Sequence, residues 1–404
     1  MIVIVMLPLL IANLLSILID YKLKSPFVTF SSALLFVFTL PNIVYILLGD
    51  GYSSVTTFSV TIYGVLFLLS YTFARLGINF FLYGKLVPVN LYESAVGISR
   101  QIKISACCTV VFLLISMYSF GFSFNSMLSS SWSEWREQSD YLQLVGSFLF
   151  FIGASLTLLV VKYKAFKYVP LIIFTTIYVV AVLKTRNYLV TLFSPAIIYY
   201  IINKKFNLRS SIIGVLLVAT VFALYSGARN IRHMGSINDI SNSGFEFKFD
   251  SGEFELINTL YYFVEKGGVN NAIPHSTLIR ISLLAIPESI LPFEKPRDLS
   301  HVLWDEKTGV LGVSGSLHVT AIGDSMLNSQ YLGWFLYSLL YAVLFSFLDV
   351  ILRREKLGFL WFGVFSVVGL YMARGAVYNG FVIVLITGFI LCFFSLVARI
   401  KMVR

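Results

Sequence analysis

Apolar runs close to the length of a bilayer alternate with short polar breaks along most of this chain. They predict about eleven membrane-spanning helices, at about 1 to 19, 27 to 48, 56 to 74, 104 to 124, 141 to 161, 168 to 184, 187 to 202, 210 to 226, 331 to 350, 357 to 374 and 380 to 398. In lipid every backbone polar group has to be satisfied within the segment, so such runs fold as helices. The first run, Met1 to Ile19, is followed rather than preceded by its lysines, Lys22 and Lys24, and lacks the small-residue cleavage site of a secretory signal. It is expected to be a retained helix.

Threading the spans alternately, with the N-terminus outside, gathers the basic clusters of the short loops on one side. These are Lys22 and Lys24; Arg75, Lys85, Arg100 and Lys103; Lys162, Lys164 and Lys167; Lys204, Lys205 and Arg209; Arg353, Arg354 and Lys356; and Arg399, Lys401 and Arg404. The positive-inside rule makes that side cytoplasmic, with the C-terminus on it. On the opposite face, Trp132 and Trp135 are expected interface anchors.

Composition agrees with the pattern: of 404 residues 58% are hydrophobic and 12% charged. The predicted fold class is therefore an all-α polytopic membrane protein. A net charge of +10 would suit nucleic acid, but no basic cluster with interleaved aromatics stands outside the spans, so membrane anchoring accounts for it. Cys107, Cys108 and Cys392 all fall in apolar runs and offer neither a disulfide framework nor a metal site.

Residues 227–330 interrupt the alternation. The chain accordingly divides into spans one to eight (1–226), a large outer loop (227–330) and spans nine to eleven (331–404). The loop holds all four histidines, His233, His275, His301 and His318, and most of the acidic residues. Its stretches 254–268 and 275–287 have helical apolar spacing, and Pro287, Pro292 and Pro296 then break the pattern, which predicts a partly helical cap. Near its end the sequence GSLHVTAIGD places His318 in a glycine-rich segment where backbone could approach a ligand closely.

A neutral imidazole can accept a proton at physiological pH, so His318 is a candidate general base; the alternative is a histidine that only hydrogen-bonds backbone. Asp324 could orient that imidazole, or cap or complement the start of the next helix. Five arginines are placed on the outer side, at span ends or in the loop: Arg186, Arg229, Arg232, Arg280 and Arg374. Guanidinium forks match phosphate oxygens, which suggests an anionic headgroup such as a lipid pyrophosphate; snorkelling or pairing with loop acids is the alternative for any one of them. The histidines lack metal-ligand spacing, and no phosphate loop or serine-hydrolase elbow occurs, so no metal and no nucleotide cofactor is expected. A transporter or flippase would place charges mid-helix or break helices at the midplane. Most predicted spans lack such charges, which favours an external enzyme.

The layout and the segment GSLHVTAIGDSMLNSQYLGW resemble the Wzy-type O-antigen polymerases, the oligosaccharide repeat-unit polymerases, which are related to the O-antigen ligases. In that family the loop commonly ends in G-S-x-H-P-T, then G-[ED], then N-x-G-x-x-G. Gly315, Ser316, His318, Thr320, Gly323, Asp324, Asn328 and Gly333 match, while Val319 replaces the usual proline and Gln330 stands where glycine is frequent.

The resemblance implies a GT-C-like glycosyltransferase of the bacterial inner membrane, working at its periplasmic face without metal or nucleotide. Its partners would be undecaprenyl-pyrophosphate-linked oligosaccharides and membrane lipids, with a chain-length regulator and a flippase as further candidates. His318 would be the catalytic base, and Arg186, Arg229, Arg232, Arg280, Arg374 and Asp324 would bind substrate. A ligase differs only in its acceptor.

Overall fold

The computed structural model describes residues 2–48, 52–91, 95–129, 141–183, 185–203, 254–270, 272–284, 286–310, 315–375 and 377–400. The chain forms α1 (Ile2–Lys22), α2 (Val28–Leu34), α3 (Leu40–Leu48), α4 (Ser54–Tyr83), α5 (Ala95–Ser119), α6 (Phe124–Ser129), α7 (Tyr141–Gly153) and α8 (Ser155–Tyr163). There follow α9 (Val169–Tyr178), α10 (Arg186–Asn203), α11 (Phe254–Glu265), α12 (Ser276–Ser282), α13 (Leu299–Thr308), α14 (Ala321–Arg354), α15 (Gly358–Ala373) and α16 (Val377–Ile400). A π-helical turn, Leu35–Thr39, joins α2 to α3, and a second, Val179–Leu183, extends α9. No strand occurs among the described residues.

Among the described residues eight helices are long and apolar enough to cross a membrane, and two shorter apolar helices lie at Asn187–Asn203 and Gly358–Ala373. Together they fall on ten of the predicted spans; the span at 210–226 lies outside the described residues. Leu7, Ile11, Leu14 and Leu18 on α1 are exposed, an apolar face of the kind lipid solvates.

The helices group into two compact units. One comprises 1–89, 248–351 and 368–384; the other comprises 90–247, 352–367 and 385–404. The second unit packs through small residues. A Cβ on Gly153 would strike Thr109 and one on Gly363 would strike Ser155, while Ser105 donates to the Gly153 carbonyl at 2.9 Å. Small residues let helix backbones approach closely enough for such bonds. Gln101 caps α15, its Oε1 accepting from the backbone of Phe359 at 2.9 Å.

The first unit contains a buried ion cluster where the sequence pattern led us to expect a cytoplasmic anchor. Arg75 does not lie in a loop: α4 runs on to Tyr83, and the guanidinium is 1% exposed. Its Nε and Nη2 donate to Asp20 Oδ1 at 3.1 and 3.0 Å, Nη2 also reaches Asp349 Oδ2 at 2.8 Å, and Nη1 donates to Ser346 at 2.9 Å. Tyr71 and Ser31 donate to Asp20 Oδ2, and Ser25 to Asp349 Oδ1. Burying three charges is tolerable because every carboxylate oxygen has a donor. The cluster ties α1, α4 and α14 together, beside Phe27 stacked on Phe345 with centroids 3.9 Å apart.

Candidate functional site

All the elements that hold His318 belong to the first unit. Asp298 caps α13 by accepting from the Ser300 backbone at 2.9 Å, which fixes the start of that helix. Leu317 then donates its N–H to the Ser300 carbonyl at 2.9 Å, and His301 Nδ1 lies 2.7 Å from the Gly315 carbonyl. A carbonyl only accepts, so Nδ1 of this imidazole is protonated and donates. Gly315 lies on the Trp304 ring so closely that a Cβ would overlap it. The histidine segment is thus laid along α13, with Leu317 and Val319 buried and His318 half-buried between them.

Thr320 closes the segment by capping α14: its Oγ1 accepts from the Gly323 N–H at 3.2 Å. Asp324 is therefore not the cap. It is 3% exposed, with Oδ1 accepting from Thr277 Oγ1 at 3.1 Å, and it does not orient His318. Asn328 donates to Thr277 at 2.5 Å and accepts from Ser276 at 3.2 Å, so the start of α12 is pinned to α14. His275, just before α12, takes φ 61°, a left-handed conformation unfavourable for a side-chain-bearing residue. Its N–H donates to the Asn328 carbonyl at 2.8 Å and its Nδ1 pairs with Ser329 Oγ at 2.7 Å, and these bonds compensate the strain.

Two of the five arginines come to this assembly. Gly375, at φ 89°, presses its backbone on the Val319 carbonyl, so the Arg374–Gly375 turn at the end of α15 lies beside the histidine segment; Arg374 is half-buried there. Arg280, on α12, stacks over the Tyr378 ring at 4.4 Å and donates through Nη1 to the Pro296 carbonyl at 2.7 Å. Its Nε has no hydrogen-bond partner. Arg186 begins α10 in the other unit, and its side chain lies outside the described residues; Arg229, Arg232 and His233 also lie outside them.

The three described histidines, His275, His301 and His318, all serve or flank one segment; spacings of tens of residues in sequence gave no hint of this. Among the described residues no group of histidine, cysteine and acidic side chains is arranged to hold a metal ion. Also unforeseen is the interruption of α14 at Gln330, which adopts φ 45° and ψ −125°. Gly333 follows it so tightly that a Cβ would collide with the Ser325 carbonyl and the Tyr63 hydroxyl.

Compared with protein-family models, curated proteins and solved structures, the chain matches none. What the architecture itself defines is an all-helical protein of the multi-pass membrane class, with a polar, histidine-centred segment packed among short helices.

Proposed function

We propose that this chain is a glycosyltransferase that polymerises undecaprenyl-pyrophosphate-linked oligosaccharide repeat units into O-antigen or a similar surface polysaccharide. It would act at the periplasmic face of the bacterial inner membrane, with the C-terminus cytoplasmic. The observation that supports this reading is the packing of the Arg374–Gly375 turn on Val319, the residue after His318, with Arg280 stacked on Tyr378 just beyond that turn.

His318 accepts the proton of the acceptor sugar hydroxyl as its oxygen bonds to the donor's anomeric carbon. The bond from that carbon to the lipid pyrophosphate breaks, and the leaving group takes the electron pair. Arg280, whose Nε is uncommitted, and Arg374 stabilise the charge that gathers there, as preorganised donors do at other developing anions. Holding both lipids in one membrane plane reduces the entropic cost of their encounter. The base, the leaving group and the arginines suffice for the transfer without a metal or nucleotide.

The test is chain elongation by purified protein supplied with lipid-linked repeat units: the wild type should build long glycan, and His318→Ala should insert normally yet add none. A ligase would instead transfer the glycan to a different acceptor.

A second reading, export of the lipid-linked glycan, is favoured by two features: the buried Arg75 ion cluster between membrane-length helices and the interrupted α14. Flipping of a labelled lipid-linked sugar across vesicles, with no new glycosidic bond, would select it.

A further inference from the structure

The loop between α12 and α13, residues 286–296 with the sequence IPESILPFEKP, lies outside the candidate spans yet exposes Ile286, Ile290 and Phe293 at 37%, 70% and 54%. Such residues are ordinary singly, whereas a cluster on one short loop marks a contact surface. The backbone of this loop suits a place poor in water. Pro287, Pro292 and Pro296 have no N–H to satisfy. The N–H groups of Ile286, Ile290 and Leu291 donate to the carbonyls of Leu283, Pro287 and Glu288, each at 3.1 Å, and the Pro296 carbonyl accepts from Arg280. Few backbone donors are left to lose water on contact with an apolar phase.

Both ends of the loop are held where lipid begins. Its first end follows α12, which is pinned to α14 through Ser276, Thr277 and Asn328. On α14, Asp324, Ser325 and Asn328 are buried polar residues, but past Gln330 the side chains of Tyr331, Phe335, Leu339, Val343 and Phe347 recur every four residues and are all exposed. That stripe is a lipid-facing side of a membrane-length helix, and it starts at Tyr331. The other end is held by Arg280, which joins the Pro296 carbonyl to the ring of Tyr378 in the first turn of α16. Further along α16, Leu385, Phe389 and Phe393 are exposed in the same four-residue rhythm. Tyrosine and arginine with apolar bodies and polar tips favour the membrane–water interface. The loop thus continues, at one level, the apolar surfaces of two spans.

We propose that residues 286–296 form a membrane-docking loop whose Ile286, Ile290 and Phe293 insert into the headgroup–acyl boundary of the leaflet where α14 and α16 enter it, holding α12 and α13 against the lipid surface. The partner is bilayer phospholipid of either headgroup charge: Glu288 and Glu294 outnumber Lys295 on the loop, so apolar burial rather than attraction to anionic lipid drives the contact. The surface does not depend on the glycosyl-transfer reading.

The test uses the purified full chain in lipid nanodiscs, carrying Cys107→Ala, Cys108→Ala and Cys392→Ala, with an environment-sensitive fluorophore attached at Ile290→Cys or at Phe293→Cys. Both positions are exposed, so neither substitution removes a packed side chain. Phospholipids brominated on their acyl chains should remove most of the emission at both positions, and aqueous iodide should leave it unchanged. The result should be the same in phosphatidylcholine and phosphatidylglycerol and at low and high salt. Quenching by iodide without quenching by brominated lipid overturns the proposal, because the loop then stands in water. Protection from both quenchers overturns it too, since protein rather than lipid then covers the loop, and quenching by lipid only in phosphatidylglycerol overturns the apolar basis of the contact.

Discussion

Gly375 and Val319, far apart in sequence, meet backbone to backbone, with no space for a Cβ on the glycine. Gly375 also has φ 89°, so two requirements fall on one residue. Gly375→Ala should shift the histidine segment and the Arg374 turn together, at a cost of about 1–3 kcal/mol. Membrane insertion should survive while elongation falls sharply; unchanged turnover and unchanged thermal midpoint would show that the turn and the segment are not coupled.

Gly315 and Trp304 provide a second, independent check on the same segment. Gly315→Ala forces a methyl into the indole, an overpacking penalty of about 1–3 kcal/mol. Shortening the partner with Trp304→Leu should recover part of the loss in the double variant, giving a coupling energy of about 1 kcal/mol in a thermal double-mutant cycle.

Gln330 sits where the resembled pattern favours glycine, and its φ of 45° with ψ −125° is a region that glycine adopts freely. Gln330→Gly should raise stability by about 1 kcal/mol through relief of strain, read as a higher thermal midpoint with elongation retained. A lower midpoint would mean that the side chain offsets its own backbone cost.

The Arg75 cluster should resist dissection one partner at a time. Asp20→Asn leaves a buried guanidinium with one compensating acid and should cost about 3–5 kcal/mol, seen as a large drop in the thermal midpoint of the purified protein. The pair Lys266–Glu306, 2.8 Å apart with its lysine reaching solvent, should change stability less when Lys266 is replaced.

Glu265, outside the candidate spans, accepts hydrogen bonds from Thr56 and Ser53 that hold its carboxyl below the ordinary value. A depressed folded pKa means that its contribution is present above the unfolded pKa, about 4.3, and is lost as pH falls through the folded value. Glu265→Gln should therefore lower stability by a pH-independent amount above the unfolded pKa and flatten the acid limb of the profile, so that variant and wild type converge as pH falls. An acid limb unchanged in the variant would assign it to other carboxylates.

Much of the helical plan was legible because apolar run length reports membrane spans directly: ten predicted spans coincide with apolar helices. The identity of the segment holding His318 was legible too, because glycine and histidine are conspicuous in an apolar chain. What sequence could not convey was depth. Arg75 reads as one more basic residue after an apolar run, since its acids lie on α1 and α14, far away along the chain. Asp324 reads as a cap because its position suits one, whereas Thr320 takes that role and buries the acid beside Thr277. The tyrosines at 63, 337 and 341 are indistinguishable in sequence from interface aromatics, yet packing buries all three.

The central claim is that His318 takes the proton of an acceptor hydroxyl. It is tested most directly by elongation of lipid-linked repeat units in detergent, comparing wild type with His318→Ala of equal thermal midpoint, with exogenous imidazole as a rescue arm. Loss of long glycan in the variant, partly restored by imidazole, is the predicted result; full-length polymer from His318→Ala without imidazole would contradict it.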